Sequence, residues 1–376
     1  MASRSIAHLE VFSAEVYRHT LTAAVPVATD KKEVSGIICR HICEYLRRTT
    51  VLLTDLVEPK IMRRRANGSS VAQKVSAFFE AFPVVHLECR EIKEGAAPAQ
   101  AFYAVTRKIV RGMWEADEHR FVAEDAVYVP PRDIRAGFDN HPSILSLYCG
   151  PGITDEERAR AEDAGDAGRL AVEAFHDHIV RRVCRGDERL ATAVLGFVAH
   201  MIQHPGVKLD VMLAVFGDPG EGKGTFTEVL TEMIGDRNVN RLSRAKDVGI
   251  GGEFNGAIAG CVMLLLDEIV WPGSAEANEL IKSLVSEKKQ WVRKLYRDGE
   301  QQEIVANPVV TSNGQPVAVS AGDRRVIACH IKKELHALPV AEQNEFRHRL
   351  GLAVRSEPRP VEERRLRLAA IYNYFL

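Results

Sequence analysis

Long apolar segments are what this sequence most clearly lacks. A helix needs roughly 20 apolar residues to cross a bilayer, and the longest candidate, residues 193–202, is interrupted by Gly196 and His200. The first residues also lack the apolar core and cleavage site of a signal peptide. We therefore expect a soluble, intracellular protein.

Patterns that would indicate a disulfide framework or a zinc site are also lacking. The seven cysteines are scattered and odd in number, which favours a reducing compartment. Cys39, His41 and Cys43 come closest to a metal motif, but no second Cys/His pair follows at zinc-finger spacing. Four further histidines lack an HExxH-type partner and are interpreted as packed or surface residues. They are His176, His178, His200 and His204.

An excess of charge of one sign is lacking as well, since 50 basic and 51 acidic residues leave a formal charge of −1. This excludes a uniformly basic nucleic-acid binder, and any basic surface must be local. The 376 residues are 46% apolar and 27% charged. A chain of this length can form two or three domains with a large core.

Residues 211–225 carry the strongest pattern that is present. Six apolar residues, Val211 to Phe216, predict a buried strand, and the apolar spacing of 223–234 predicts a helix. Glycines and then Lys223 lie between them, which is the order of a phosphate-binding loop. Glycines let backbone N–H groups approach phosphates, and Lys223 can reach the terminal ones. The predicted ATP-binding residues are Gly217, Pro219, Gly220, Glu221, Gly222, Lys223, Gly224, Thr225 and Phe226.

The loop departs from the usual pattern directly after its lysine. A Ser or Thr normally stands there and its hydroxyl contacts Mg²⁺, whereas this chain has Gly224 followed by Thr225. Direct hydroxyl ligation is therefore in question, and Thr225 is the second choice for it. The loop also resembles that of adenylate kinase, which leaves a small nucleotide kinase as an alternative.

A second buried strand is predicted at 261–266, and it ends in Asp267 and Glu268. In an ATPase, an aspartate at such a strand end holds Mg²⁺. An adjacent glutamate can orient and deprotonate the attacking water. We therefore expect ATP and Mg²⁺ as ligands, with Asp267 serving the metal and Glu268 the water.

A basic hairpin is predicted downstream of the acidic pair. Asp298-Gly299 between two strand-like runs is a hairpin signal. The segment is basic at Lys288, Lys289, Arg293, Lys294 and Arg297. Such a hairpin could grip a phosphate backbone, and a solvated hairpin tip explains the same charges equally well.

Two further strands carry polar residues at their ends. The apolar run 307–312 is followed by Asn313, which would lie beside the acidic pair and could position the attacking water. Arg324 and Arg325 precede another predicted strand. From there a guanidinium could reach a γ-phosphate as an arginine finger.

In this order, GDPGEGKGT, LLLDE, the basic hairpin, VVTSN and GDRR resemble the ATPase core of superfamily 3 helicases, especially the helicase part of phage and plasmid primase-helicases. The resemblance covers roughly residues 140–335. It implies a P-loop, AAA+-like α/β fold in a ring, usually a hexamer, with ATP bound between neighbours. It also implies ATP-driven movement along single-stranded DNA and separation of forked duplex, in the cytoplasm of a bacterial or phage-infected cell.

The resemblance also implies a role for each motif residue. The nucleotide, metal and water are served by Lys223, Asp267, Glu268 and Asn313. Either Arg324 or Arg325 acts on the nucleotide of the next subunit. The residues expected to contact DNA are Lys288, Lys289, Lys294 and Arg297.

The remaining segments are less specific. Many relatives in that family carry an N-terminal primase, but its paired acids are not evident in residues 1–140, so a separate primase or polymerase would be a partner. The predicted domains are an α+β DNA-binding or collar module (1–140), a helical domain (141–208), the ATPase core (209–335) and a helical segment (336–376).

Some local patterns predict single elements in the first half of the chain. The run AFYAVTRKIV, residues 101–110, has a composition typical of a strand. Asn67–Ser70 predicts a turn followed by the N-cap of a helix. The charged stretch 154–168 is expected to be helical and exposed.

Two alternative functions stay open. A nucleoside monophosphate kinase would explain the GxPGxGKGT form of the loop, but it has no need of the DE, TSN and DRR series. A regulatory or loader-type AAA+ ATPase could keep the fold without unwinding DNA, because fold does not fix function.

Overall fold

The computed structural model describes two compact units. One comprises Met1–Val127 with Asp139–Tyr148, and the other Tyr128–Phe138 with Cys149–Leu376. The described residues are 4–5, 9–54, 58–65, 70–136, 143–244, 247, 255–268, 275–293, 299–314, 324–331, 338–354 and 357–376. Lys294 and Arg297 lie outside this part of the chain. The four predicted domains stay a prediction.

The first unit combines helices with small sheets. Its helices are α1 (Ala14–Ala24), α2 (Lys31–Thr49), α3 (Val75–Glu80) and α4 (Arg107–Ala116). Its strands are β1 (Arg4–Ser5), β2 (Thr50–Leu53), β3 (Lys60–Arg64), β4 (Ser70–Lys74), β5 (Val85–Glu91), β6 (Ala99–Val105), β7 (Val122–Ala123), β8 (Asp125–Val127) and β9 (Ile144–Ser146). They pair as β4–β3–β2–β7, as β5–β6 and as β1–β9–β8.

The core of the first unit lies against α2. Asp30 caps this helix by accepting a hydrogen bond from the backbone N–H of Lys32 at 3.1 Å. Val34, Ile38 and Ile42 recur at helical spacing and are fully buried. This apolar stripe anchors the aromatic residues contributed by the neighbouring elements.

The second unit surrounds a larger sheet with helices. Its helices are α5 (Asp155–Glu162), α6 (Gly165–Asp177), a π-helical segment (His178–Val183), α7 (Glu188–Gln203), α8 (Lys223–Ile234), α9 (Ala275–Ser286), α10 (Val340–Arg349) and α11 (Val361–Phe375). Its strands are β10 (Met212–Phe216), β11 (Val239–Leu242), β12 (Met263–Asp267), β13 (Lys289–Val292), β14 (Glu300–Glu303), β15 (Asn307–Ser312) and β16 (Val326–His330). Among the described helices, none has the length and apolarity to span a membrane.

Five of these strands form a parallel sheet in the order β11–β12–β15–β10–β16. β10, β12 and β15 are buried along almost their whole length, as expected of parallel strands covered on both faces. The register pairs Phe216 with Ser312 and Asp267 with Thr311. The carboxyl ends of these three strands therefore meet at one edge. The predicted mixed α/β class with a parallel sheet is confirmed.

Two local predictions are wrong. The run 101–110 is not a single strand, because Thr106 ends β6 and its side chain caps α4. Ser70 does not cap a helix but begins β4, which pairs with β3. The stretch 154–168 is helical and largely exposed, as predicted, and a break before Gly165, whose φ of 55° is left-handed, divides it between α5 and α6.

Candidate functional site

A glycine loop joins β10 to α8 at the carboxyl edge of the parallel sheet. Gly222 stands at the N-cap of α8 with a left-handed φ of 97°. Gly217 has a φ of 151°, and a Cβ there would lie 2.6 Å from Glu221 Oε2 and 2.7 Å from Ile331 Cγ2. A residue with a side chain could not follow this path without strain. The loop is thus shaped by its glycines.

All predicted ATP-binding residues lie in this loop or in the first turn of α8. Pro219, Gly220 and Gly224 are exposed. The buried members are Gly217, Glu221, Gly222, Lys223, Thr225 and Phe226. A Cβ at Gly224 would meet no atom within 4 Å, so this position has room for a larger residue.

Lys223 is buried within the loop, with 7% of its surface exposed. Its Nζ donates to the backbone carbonyls of Gly217 at 2.6 Å and Asp218 at 2.8 Å. Burial lowers the pKa of Lys223, and the carboxylates of Glu221 and Glu268 act in the opposite direction. The loop therefore holds a cation against carbonyl oxygens, and a phosphate would be a stronger partner for it.

The acidic pair stands at the end of β12. Asp267 Oδ1 accepts a hydrogen bond from Thr311 Oγ1, and Asp267 Oδ2 lies 3.4 Å from the guanidinium of Arg241. Glu268 has a φ of 54°, a left-handed conformation that costs a non-glycine residue roughly 1–3 kcal/mol. Its backbone N–H donates to the Thr311 carbonyl at 2.9 Å. The strain makes Glu268 a candidate functional residue.

Asn313 follows β15, the strand that lies between β10 and β12. Its Nδ2 donates to Glu268 Oε1 at 2.9 Å. Asn313 therefore contacts the acidic pair, as its place at the end of a parallel strand indicates. The amide fixes one carboxylate oxygen of Glu268 and leaves the other available for a water molecule.

The two arginines that precede β16 have different surroundings. Arg325 Nε donates to Ser286 Oγ, at the C-terminal end of α9, at 3.0 Å. Arg324 is exposed and has no hydrogen bond or ion pair with another described residue. Arg325 is thus held against α9, whereas Arg324 is exposed to solvent.

A buried histidine supports the loop from the π-helical segment. His178 is 1% exposed, and its Nε2 donates to the Gly222 carbonyl at 3.2 Å. Burial, together with the charge of Arg182, lowers the pKa of His178 to about 4. The ring is therefore neutral at pH 7, and this hydrogen bond requires the proton on Nε2. His178 also lines a cavity of about 400 Å³ that Phe346 of α10 borders.

β13 and β14 form the predicted antiparallel hairpin. Of the predicted DNA-contacting residues, Lys288 and Lys289 are exposed at its start. Lys294 and Arg297 fall outside the described residues. Trp291, an uncharged residue between these cations, is 58% exposed on the same strand.

Sequence reasoning missed two residues that contact the site. Thr311 follows two valines and reads as part of the strand, although its hydroxyl binds Asp267. His178 belongs to a helical pattern far from the loop in sequence. The signal for Thr311 is its place in the polar string TSN at the end of a buried strand. Nothing in the sequence indicates the contact between His178 and Gly222.

Comparison with known proteins identifies one family and several similar structures. A family of unknown function (DUF5906) matches residues 215–325, which is less than half of the chain. This range runs from the end of β10 to Arg325. No curated protein matches the sequence.

Two solved structures of the NrS-1 C-terminal region resemble this chain over 86% of its length. Their TM-scores are 0.53 and 0.52, and each is 13% identical in sequence. The chain spans 65% of the first and 68% of the second. A structure of JCV helicase with a bound small molecule matches 52% of this chain and 58% of its own at 14% identity, with a TM-score of 0.32. The NrS-1 likeness shows a shared fold.

Proposed function

We propose that this chain is an ATP-driven DNA helicase of superfamily 3 type, built on a P-loop, AAA+-like core that assembles into a ring, usually a hexamer. In this proposal the ring moves along single-stranded DNA and separates forked duplex during phage, plasmid or mobile-element replication. The fold shared with the NrS-1 C-terminal region is compatible with this function and does not by itself establish it.

One observation carries the proposal. A single edge of the parallel sheet brings together the glycine loop with Lys223, the acidic pair and Asn313, and Asn313 is hydrogen-bonded to Glu268. A phosphate-binding loop beside a held carboxylate is the arrangement that hydrolysis of a nucleoside triphosphate requires. A loop that only connected a strand to a helix would not need the strained, amide-bound glutamate.

Each residue has a chemical task in this proposal. Lys223 and the backbone N–H groups of the loop bind the β- and γ-phosphates of ATP. Glu268 orients the attacking water and takes its proton, and Asn313 holds Glu268 in place. Thr311 positions Asp267 through its hydroxyl.

The residues present fit a Mg²⁺ ion, which would supply charge neutralisation for the phosphates. Mg²⁺ is commonly held by one or two carboxylates, with phosphate oxygens and waters completing its shell. Asp267 offers a carboxylate with 35% of its side chain exposed. Thr225, in the first turn of α8, is the second candidate. The described residues contain no group of three or more His, Cys, Asp or Glu suited to a metal, so ATP and water would have to contribute ligands.

Assembly into a ring would complete the site in trans. Because Arg325 is bound to Ser286, we assign the arginine finger to Arg324, which is exposed. Its guanidinium would contact the γ-phosphate held by the neighbouring subunit and stabilise the charge that develops there. ATP would therefore be hydrolysed between two subunits.

Strand separation is the experiment that tests this function. The wild-type chain should release the labelled strand of a forked DNA duplex when ATP and Mg²⁺ are present, and Lys223→Ala should not. ATP hydrolysis without any strand release, on forks of either polarity, would favour the loader or regulatory alternative. Phosphorylation of a free nucleoside monophosphate would favour the kinase.

A further inference from the structure

We propose that Trp291 is a stacking residue for single-stranded DNA, with Lys289 and Arg293 contacting the adjoining phosphates. This inference rests on the proposed function, because it names the residues with which the motor would hold its strand. It adds an aromatic residue to a hairpin that the sequence describes by its charges alone.

The residues of β13 alternate between a buried and an exposed face. Gln290 and Val292 point into the unit and are 9% and 1% exposed. Lys289, Trp291 and Arg293 are exposed, and Trp291 retains 58% of its surface. Trp291 therefore offers a large aromatic surface on the same face of the strand as two cationic side chains.

Gly299 leaves room for the indole of Trp291, because it has no side chain. A Cβ at Gly299 would lie 2.4 Å from Trp291 Nε1 and 3.1 Å from Arg293 Cγ. The edge of the indole and the stem of Arg293 therefore both occupy the space that a side chain at residue 299 would fill. One edge of the indole lies over Gly299 while most of its surface stays open, which suits stacking of an unpaired base.

The backbone that carries Trp291 is also fixed. Asn255 Nδ2 donates to the Trp291 carbonyl at 3.0 Å, and Asn255 Oδ1 accepts from the Arg293 N–H at 2.8 Å. On the buried face, Gln290 Nε2 donates to the Ser283 carbonyl of α9 at 3.1 Å. These bonds tie the exposed face of β13 to the ATPase core, so a base on Trp291 would be coupled to that core.

The charges on this face suit a phosphate backbone. Lys289 and Arg293 lie two residues to either side of Trp291 and point the same way. Across the hairpin, Gln301 pairs with Trp291 and Glu303 pairs with Lys289. Two cations and one anion around Trp291 favour contact with phosphates. The exposed indole favours a single strand over a duplex, because bases within a duplex are stacked on each other and cannot cover the indole.

Binding of oligothymidylate, compared with an abasic oligomer of the same length, tests this proposal. The wild-type chain should bind oligothymidylate more tightly, because the abasic strand has nothing to stack. Trp291→Leu should weaken binding of oligothymidylate about five- to a hundred-fold and leave binding of the abasic strand nearly unchanged. Trp291→Phe should keep most of the affinity, which separates stacking from a folding defect.

Salt dependence separates the roles of the three residues. Lys289→Ala and Arg293→Ala should each reduce the dependence of affinity on salt, whereas Trp291→Leu should not. Tyr374→Leu, which removes a half-exposed ring from α11, serves as the control and should bind like the wild type. Equal affinity of wild type and Trp291→Leu for oligothymidylate would overturn the proposal.

The rate of ATP hydrolysis in the absence of DNA distinguishes a failure of the stacking proposal from a failure of the proposed function. Trp291→Leu should hydrolyse ATP at the wild-type basal rate, because Trp291 lies outside the nucleotide site. A wild-type chain that hydrolyses ATP but binds no oligothymidylate would contradict the stacking role of Trp291. The assignment of the nucleotide site would be unaffected. A wild-type chain without ATP turnover would instead contradict the proposed function.

Discussion

Backbone conformation at single residues decides how closely a phosphate can approach the loop. Gly217 and Gly224 differ in this respect, although both belong to the same motif. A side chain at Gly217 would overlap Glu221 and Ile331, whereas one at Gly224 would meet open space. Alanine substitutions at these two glycines can therefore be compared as a test and its control.

Gly217→Ala should raise the Kd for ATP about five- to a hundredfold, because overpacking and backbone strain of about 1–3 kcal/mol would displace the loop. Gly224→Ala should bind ATP like the wild type and be stabilised by up to about 1 kcal/mol, since alanine favours a helix. Titration with a fluorescent ATP analogue and thermal melts would measure both. Equal ATP affinity of the two variants would contradict the described loop geometry.

Protonation of His178 links the stability of the second unit to pH. The pKa of His178 is about 4 in the folded chain against 6.5 for an unperturbed histidine. Between these values the unfolded chain binds a proton that the folded chain does not, so stability falls as the pH drops through this window.

From pH 7 to pH 5, this one group should therefore lower the free energy of unfolding by about 2 kcal/mol. His178→Gln, which keeps an N–H donor for Gly222, should lack that contribution. Thermal melts at both pH values would show it as a smaller decrease in Tm for the variant. An equal decrease in both proteins would mean that His178 is not buried as a neutral ring.

At the scale of elements, the hairpin depends on a residue from another segment. Asn255 makes two side-chain hydrogen bonds to the backbone of β13, each contributing about 0.5–1.5 kcal/mol. Asn255→Ala should therefore loosen the hairpin without touching the nucleotide site.

We expect Asn255→Ala to keep the basal rate of ATP hydrolysis and to lose most of its stimulation by single-stranded DNA. Asn240→Ala provides the comparison and should retain the stimulation. This variant removes two side-chain hydrogen bonds that Asn240 of β11 donates to the carbonyls of Ala257 and Ala259. Stimulation at the wild-type level in Asn255→Ala would show that the anchored hairpin does not transmit DNA binding.

The buried strands could be predicted because their signal is local. Six apolar residues before Gly217 and six before Asp267 leave few alternatives, and parallel strand ends share one edge, which brings Asn313 to Glu268. The left-handed conformation of Glu268 and the bond from His178 to Gly222 could not be predicted. Both depend on tertiary packing between segments distant in sequence. Ser70 was misassigned because a turn sequence precedes strands as readily as helices.

At the scale of the whole molecule, the proposal requires that neighbouring subunits share each nucleotide site. A Lys223→Ala subunit lacks a working loop but keeps Arg324, and an Arg324→Ala subunit has the reverse defect. Each variant alone should be inactive. In a ring formed from equal amounts of both, about a quarter of the sites would combine an intact loop with an intact finger.

Mixing the two variants should therefore restore part of the ATP turnover, measured as phosphate release. Arg325→Ala in place of Arg324→Ala serves as the comparison, since Arg325 is bound to Ser286 within its own subunit. No recovery in the Arg324→Ala mixture, with assembly confirmed by particle size, would contradict a finger supplied in trans.

The most direct test of the central claim is ATP turnover by Glu268→Gln, measured together with ATP binding in the same samples. In the proposed mechanism the glycine loop binds the phosphates, and Glu268, held by Asn313, activates the water. Glu268→Gln should therefore bind ATP like the wild type and lose at least about a hundredfold in kcat. Wild-type turnover by this variant, or loss of binding along with turnover, would contradict the account.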